Sequence, residues 1–158
     1  RHNAMTKTPD LSTPEAVHRY FSAFCFNLTW DLLEKPDRSA AENEAMIQAC
    51  LASLWHWNQR PDCTDRERSV GAWQVARVYA VVQQADNARR YGQMALSFAN
   101  DQPPFYQAYA YEALARAEAV AGNRNTAERH LEQERQLAGQ VEKAEEQELI
   151  LTDLKTIL

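Results

Sequence analysis

Apolar residues recur at every third or fourth position through most of the chain, interrupted by short polar breaks, which is the period of helices buried along one side. Thr13-Pro14-Glu15 reads as a helix start: a Thr N-cap, Pro at the first helical position, then an acid favoured by the helix dipole. Val17, Phe21, Phe24, Leu28 and Leu32 then form an apolar stripe, so a first helix spans about Pro14 to Glu34 and stops before Pro36. A second helix runs from about Ser39 to Asn58, with Ala45, Met46, Ala49, Ala52 and Trp55 as its packing stripe. A third is predicted from Thr64-Asp65 to Gln84 and a fourth from about Asp86 to Asn100, before the break at Pro103-Pro104. A fifth covers about Pro104 to Ala121, where Gly122 suits a left-handed C-cap. A sixth covers about Asn125 to Ala138 and a seventh about Val141 to Ile157. The connections are short, so successive helices should pack antiparallel.

Composition points the same way. Ala and Leu far outnumber Val and Ile, and the 158 residues include only 4 Gly and 6 Pro. This favours an all-α class and disfavours a sandwich or barrel. The length suits one domain, drawn here as residues 13–158, with 1–12 a disordered leader or a remnant of expression. Arg1-His2-Asn3-Ala4-Met5 lacks the apolar core of a secretory signal. The longest stretch free of Asp, Glu, Lys and Arg, Ala45 to Gln59, is too short and polar to span a bilayer. The net charge is −5, with acids gathered at Glu142, Glu145, Glu146, Glu148 and Asp153. Such a surface repels nucleic acid and offers anionic membranes no basic run. Cys25, Cys50 and Cys63 are odd in number and lack C-x-x-C spacing, which argues against a disulfide framework or zinc knuckle and fits a reducing cytoplasm.

Residues 66–100 can be laid on 105–139. Ala76 then falls on Ala115, Arg77 on Arg116, Ala80 on Ala119, Val81 on Val120, Ala88 on Ala127, Arg90 on Arg129 and Ala99 on Ala138. Small residues meet small residues where the two helices of a hairpin must approach closely, the mark of a stacked helical array.

On these residues the chain resembles the tetratricopeptide-repeat (TPR) family. Ala76 and Ala115 match the small position of the first helix of each unit, after Val75 and Leu114. Tyr79 matches the aromatic three residues on, Ala88 and Ala127 the small position of the second helix, and Ala95 the next one. Glu118 stands where the second unit should have an aromatic, and Glu134 where it should have an alanine. The spacing exceeds the family's usual ~34 residues. Ala45 and Ala52 suggest a degenerate earlier unit. The strings Leu54-Trp55-His56-Trp57, Trp73 to Val81 and Tyr109 to Ala117 resemble a bacterial group of TPR-like proteins. The resemblance implies a right-handed array of antiparallel hairpins, a bacterial cytoplasmic setting, a concave face lined by first helices, and no particular reaction.

On that face Trp73 and Arg77 are neighbours on one helix, as are Glu112 and Arg116 on the next, with Tyr109 nearby. Two guanidiniums beside aromatic rings suit a carboxylate or phosphate. The plainer alternative is an ion pair between Arg77 and Glu112 that locks adjacent hairpins. His56, between Trp55 and Trp57, either titrates near neutrality, contacts a ligand, or bonds a carbonyl at its helix end. Glu15-x-x-His18 matches one step of a carboxylate-bridged di-iron bundle but has no second copy. His130 and Glu134 sit on a charge-rich helix and read as solvated. No phosphate-binding loop, zinc-protease motif or nucleophile elbow occurs.

The leading expectation is a non-enzymatic scaffold that binds a protein partner, a peptide or acidic segment, in a concave groove, with no cofactor, metal or catalytic residue. Its binding residues would be Trp73, Arg77, Tyr109, Glu112, Arg116, His56 and Trp57. The alternatives are a small-ligand sensor or enzyme with a pocket around His56, Trp57, Trp73 and Arg77, and a structural homodimer. The seventh helix should cover the array's apolar end, an edge that a second copy would also fit.

Overall fold

A computed structural model describes residues 8–158; the proposed leader falls partly on residues 1–7, outside the described residues. Among the described residues there are seven α-helices and no strand, so the all-α class holds. None of these helices is long and apolar enough to cross a membrane. The chain divides into two compact units between Thr64 and Asp65.

The first unit pairs α1 (Pro14–Glu34) with α2 (Ala40–Gln59). Thr13 caps α1, its side chain accepting the Ala16 N–H. Ser39 and Glu42 close a reciprocal capping box at the start of α2. The packing faces differ from the sequence reading. Phe24 and Leu28 are 42% and 37% exposed, whereas Ser22 and Thr29 are wholly buried. On α2, Met46, Ala49, Cys50, Ser53 and Leu54 are buried, while Trp55 and Ala45 face outward. The physical reason is that α1 is apolar on several sides, so periodicity cannot choose among them, and close approach to α2 selects the small residues. Ser53 Oγ donates to the Ser22 carbonyl at 2.8 Å across the helix contact. With Ala45 exposed, the degenerate unit suggested for this hairpin loses its close-packed position.

The second unit holds α3 (Asp65–Val81), α4 (Ala85–Ala99), α5 (Pro104–Ala121), α6 (Arg124–Ala138) and α7 (Ala144–Leu154). The pairs α3–α4 and α5–α6 form hairpins, α3 and α4 both pack on α5, and α7 packs on α5 and α6. The contact surfaces are built from alanine: Ala72, Ala76, Ala88, Ala95, Ala108, Ala115 and Ala127 are all fully buried. Without long side chains between them, helix backbones come close. A Cβ added at Gly92 of α4 would stand 3.0 Å from Leu114 Cδ2 on α5. Gly122 ends α5 in the left-handed conformation, φ 80°. The third helix ends at Val81 rather than Gln84 because Gln83 itself turns left-handed, φ 64°, and the Gln84 N–H reaches back to the Tyr79 carbonyl at 2.8 Å. The seventh helix is shorter than predicted. Val141 lies in the preceding link, where it joins Ala108, Ala138 and Ile150 in a buried cluster.

Candidate functional site

The second unit brings five of the predicted residues together, four of them about the carboxylate of the fifth, Glu112. Glu112, in the middle of α5, is fully buried. Its Oε2 accepts from the Trp73 indole at 3.0 Å, and its Oε1 from Arg77 Nη1 at 3.1 Å and Arg116 Nε at 2.6 Å. The first two donors come from α3, one helical turn apart, and the third lies one turn along α5 itself. Trp73 and Tyr109 meet edge to face, ring centroids 5.3 Å apart. The pairing of Arg77 with Glu112, foreseen as the plainer alternative, is therefore present.

The cluster extends to elements the sequence did not connect with it. Tyr109 donates its hydroxyl proton to Asp153 of α7 at 2.8 Å. Arg116 Nη2 donates to Thr156 Oγ1 at 2.7 Å. Burial and the neighbouring Asp153 push the Tyr109 phenol well above its ordinary range. Two guanidiniums thus stand among the carboxylates of Glu112 and Asp153, and a third acid, Glu134 of α6, adjoins them. Glu134 is fully buried and neither of its oxygens has a hydrogen-bond partner. Burial, with Glu112 adding to it, raises its carboxyl to about 9, so it is neutral at pH 7. The expectation of a solvated Glu134 is overturned: it is fully buried, and α6 brings it close to Glu112 and Arg116 of α5. Glu118 of α5 is also buried and is held by Arg89 and Asn123.

Chemically, the Glu112 carboxylate is occupied by three donors. Arg77 and Arg116 keep 25% and 14% of their side chains exposed, so contact with a guest is open chiefly to Arg77. Burial and the adjacent Arg116 pull the Arg77 guanidinium below its ordinary value, and it remains charged at pH 7. Among the described residues no group of three or more His, Cys, Asp or Glu is arranged to hold a metal ion. A separate open groove of about 540 Å³, lined by Arg66, Pro104, Tyr106, Val141 and Lys143 among others, contains no residue singled out as a binding residue.

His56 and Trp57 belong to the first unit and have partners there. The Arg60 guanidinium lies 3.8 Å above the Trp57 ring and donates to Asp62, which it holds down to about 2. Among the described residues His56 bonds no carbonyl; its Nδ1 lies 2.9 Å from Nδ1 of His18. His18 was visible in the sequence only as half of a metal motif, and its partner there, Glu15, pairs instead with Arg19. The long separation of His18 and His56 gave no local signal of their contact.

No family model matches this chain, and neither a curated protein nor a solved structure matches it.

Proposed function

We propose that the chain is a non-enzymatic protein–protein interaction scaffold, a TPR-like right-handed array, that takes a peptide or acidic segment along the side formed by α3 and α5. The observation that carries this reading is the bond from Trp73 to Glu112, residues thirty-nine positions apart that occupy equivalent places on the two helices. It favours two copies of one packing unit lying in register. The fully buried Ala76, Ala115, Ala88 and Ala127 support the same reading. In it, Glu112 and Arg116 hold the surface from beneath, and Arg77, Trp73 and Tyr109 touch the guest. A carboxylate would meet the exposed part of the Arg77 guanidinium beside two rings. The three cysteines suit a reducing, cytoplasmic setting.

The test is a bead-displayed peptide library in which acidic, carboxylate-ended sequences compete with neutral, amidated ones. The wild-type chain should enrich the acidic set. Arg77→Gln should bind the enriched peptides about tenfold more weakly, the worth of one charge-assisted bond, with its helical circular dichroism unchanged. Equal retention of acidic and neutral peptides by the wild type would exclude the groove.

A further inference from the structure

The first unit contains a histidine pair that the scaffold reading does not use. His18 of α1 and His56 of α2 face each other through Nδ1, 2.9 Å apart, with ring centroids 5.1 Å apart. The centroid distance exceeds the nitrogen distance by nearly the centroid-to-nitrogen radius of both rings, so the rings meet almost end-on. That is the alignment of a straight N–H···N bond. A neutral imidazole has one nitrogen that donates and one that accepts, whereas a charged imidazole donates from both. The gap therefore holds one proton: one Nδ1–H donates and the other Nδ1 accepts. A second proton leaves two N–H groups pointing at each other with no acceptor and two like charges in contact.

The surroundings do not relieve that second charge. Phe21 stacks on His56, and the Trp55 ring meets both histidines edge-on at 5.3 and 5.0 Å. On α1 the charged neighbours are Glu15 and Arg19, which pair with each other. On α2, from Met46 to Gln59, the titratable groups are Cys50 and His56 itself. In the link that follows, Asp62 is held by Arg60 and by Arg19. Among the described residues no carboxylate accepts from either imidazole, and Glu15 and Asp62 are engaged by arginines.

We propose that His18 and His56 form a one-proton clasp that fastens α1 to α2 and releases it when both imidazoles are charged. Burial and the adjacent His18 already hold the His56 imidazole below its ordinary value, which agrees with the geometry. Release would uncover α1, whose apolar residues lie on several sides, so acidification in the range where histidines titrate would change what this unit exposes.

The experiment is an NMR titration of the imidazole resonances of the full chain from pH 8 to pH 5, for wild type and His18→Gln. In the wild type the pair should take up its two protons in separate steps, the second with at least about tenfold lower affinity. In His18→Gln, His56 should titrate in one unsplit step, still below its ordinary value because burial remains. Thermal unfolding supplies a second readout: the wild type should lose more stability between pH 7.5 and pH 5 than the His18→Gln/His56→Gln double variant. Should the double variant fail to fold, the wild-type titration still decides. Two independent, unsplit wild-type titrations, or a His56 titration unchanged in His18→Gln, would overturn the clasp.

Discussion

Glu134 occupies on α6 the place that Ala95 holds on α4 thirty-nine residues earlier, and both are wholly withdrawn from water. On α4 the position is filled by a methyl group; on α6 it is filled by an acid with no hydrogen-bond partner. Burial raises that acid from an ordinary 4.5 to about 9. A raised folded-state value means the group favours the fold fully below its unfolded value and increasingly opposes it as pH rises toward its folded value. Between about pH 4.5 and pH 9 stability therefore falls as pH rises. Glu134→Gln keeps the volume and removes the titration. It should be more stable than wild type at pH 7, by on the order of 3 kcal/mol, and indistinguishable near pH 4.5. Urea unfolding at several pH values checks this, and parallel pH dependence of the two proteins would contradict it.

The Glu112 cluster should behave as a unit. Removing its charge leaves Arg77 and Arg116 facing one another around a buried amide. Glu112→Gln should destabilise by about 3–5 kcal/mol, the cost of breaking a buried ion pair from one side. Arg77→Gln should cost less, because a quarter of its side chain is already in water. A double-mutant cycle should show that the combined loss falls short of the sum by more than about 0.5 kcal/mol. Additive losses would mean that Arg77 and Glu112 do not interact.

Tyr109 joins α5 to α7 through a single phenol–carboxylate bond to Asp153. Tyr109→Phe keeps the ring contacts with Trp73 and Phe105 and removes that bond. We expect a loss of about 1.5–3 kcal/mol, accompanied by faster amide exchange in α7 than in α3 or α4. Unchanged exchange in α7 would show that Ile150 and Leu154, both buried, suffice to hold the helix.

Two glycines should respond differently to alanine. Gly122 has φ 80° and open space where a Cβ would go, so Gly122→Ala meets backbone strain alone and should cost about 1–2 kcal/mol. Gly139 is right-handed, φ −63°, and a Cβ there makes only ordinary contacts from 3.4 Å outward. Gly139→Ala should be neutral or stabilise by up to about 1 kcal/mol, through a less flexible unfolded chain. Thermal melts of both variants test the pair, and an equal shift would refute the conformational argument.

What the sequence determined by itself is local. Thr13, Pro14, Ser39, Pro104 and Gly122 mark helix ends because capping depends on residues within one turn of the end. The repeated alanines announced where helices come close, and the positions of Arg77 and Glu112 offered their pairing as one of two alternatives. Gln83 escaped notice as a stop because a non-glycine residue in the left-handed conformation leaves no mark in composition. Tertiary structure decided everything that turns on which surfaces meet. An acid beside many charges reads as solvated until its helix is docked, and docking buried Glu134. A helix apolar on several sides has no preferred face until a partner arrives, so Ser22 and Thr29 were buried while Phe24 was left in water. His18 and His56 became partners only when α1 folded back on α2, because a contact across thirty-eight residues is set by the hairpin's register and by nothing in the neighbourhood of either residue.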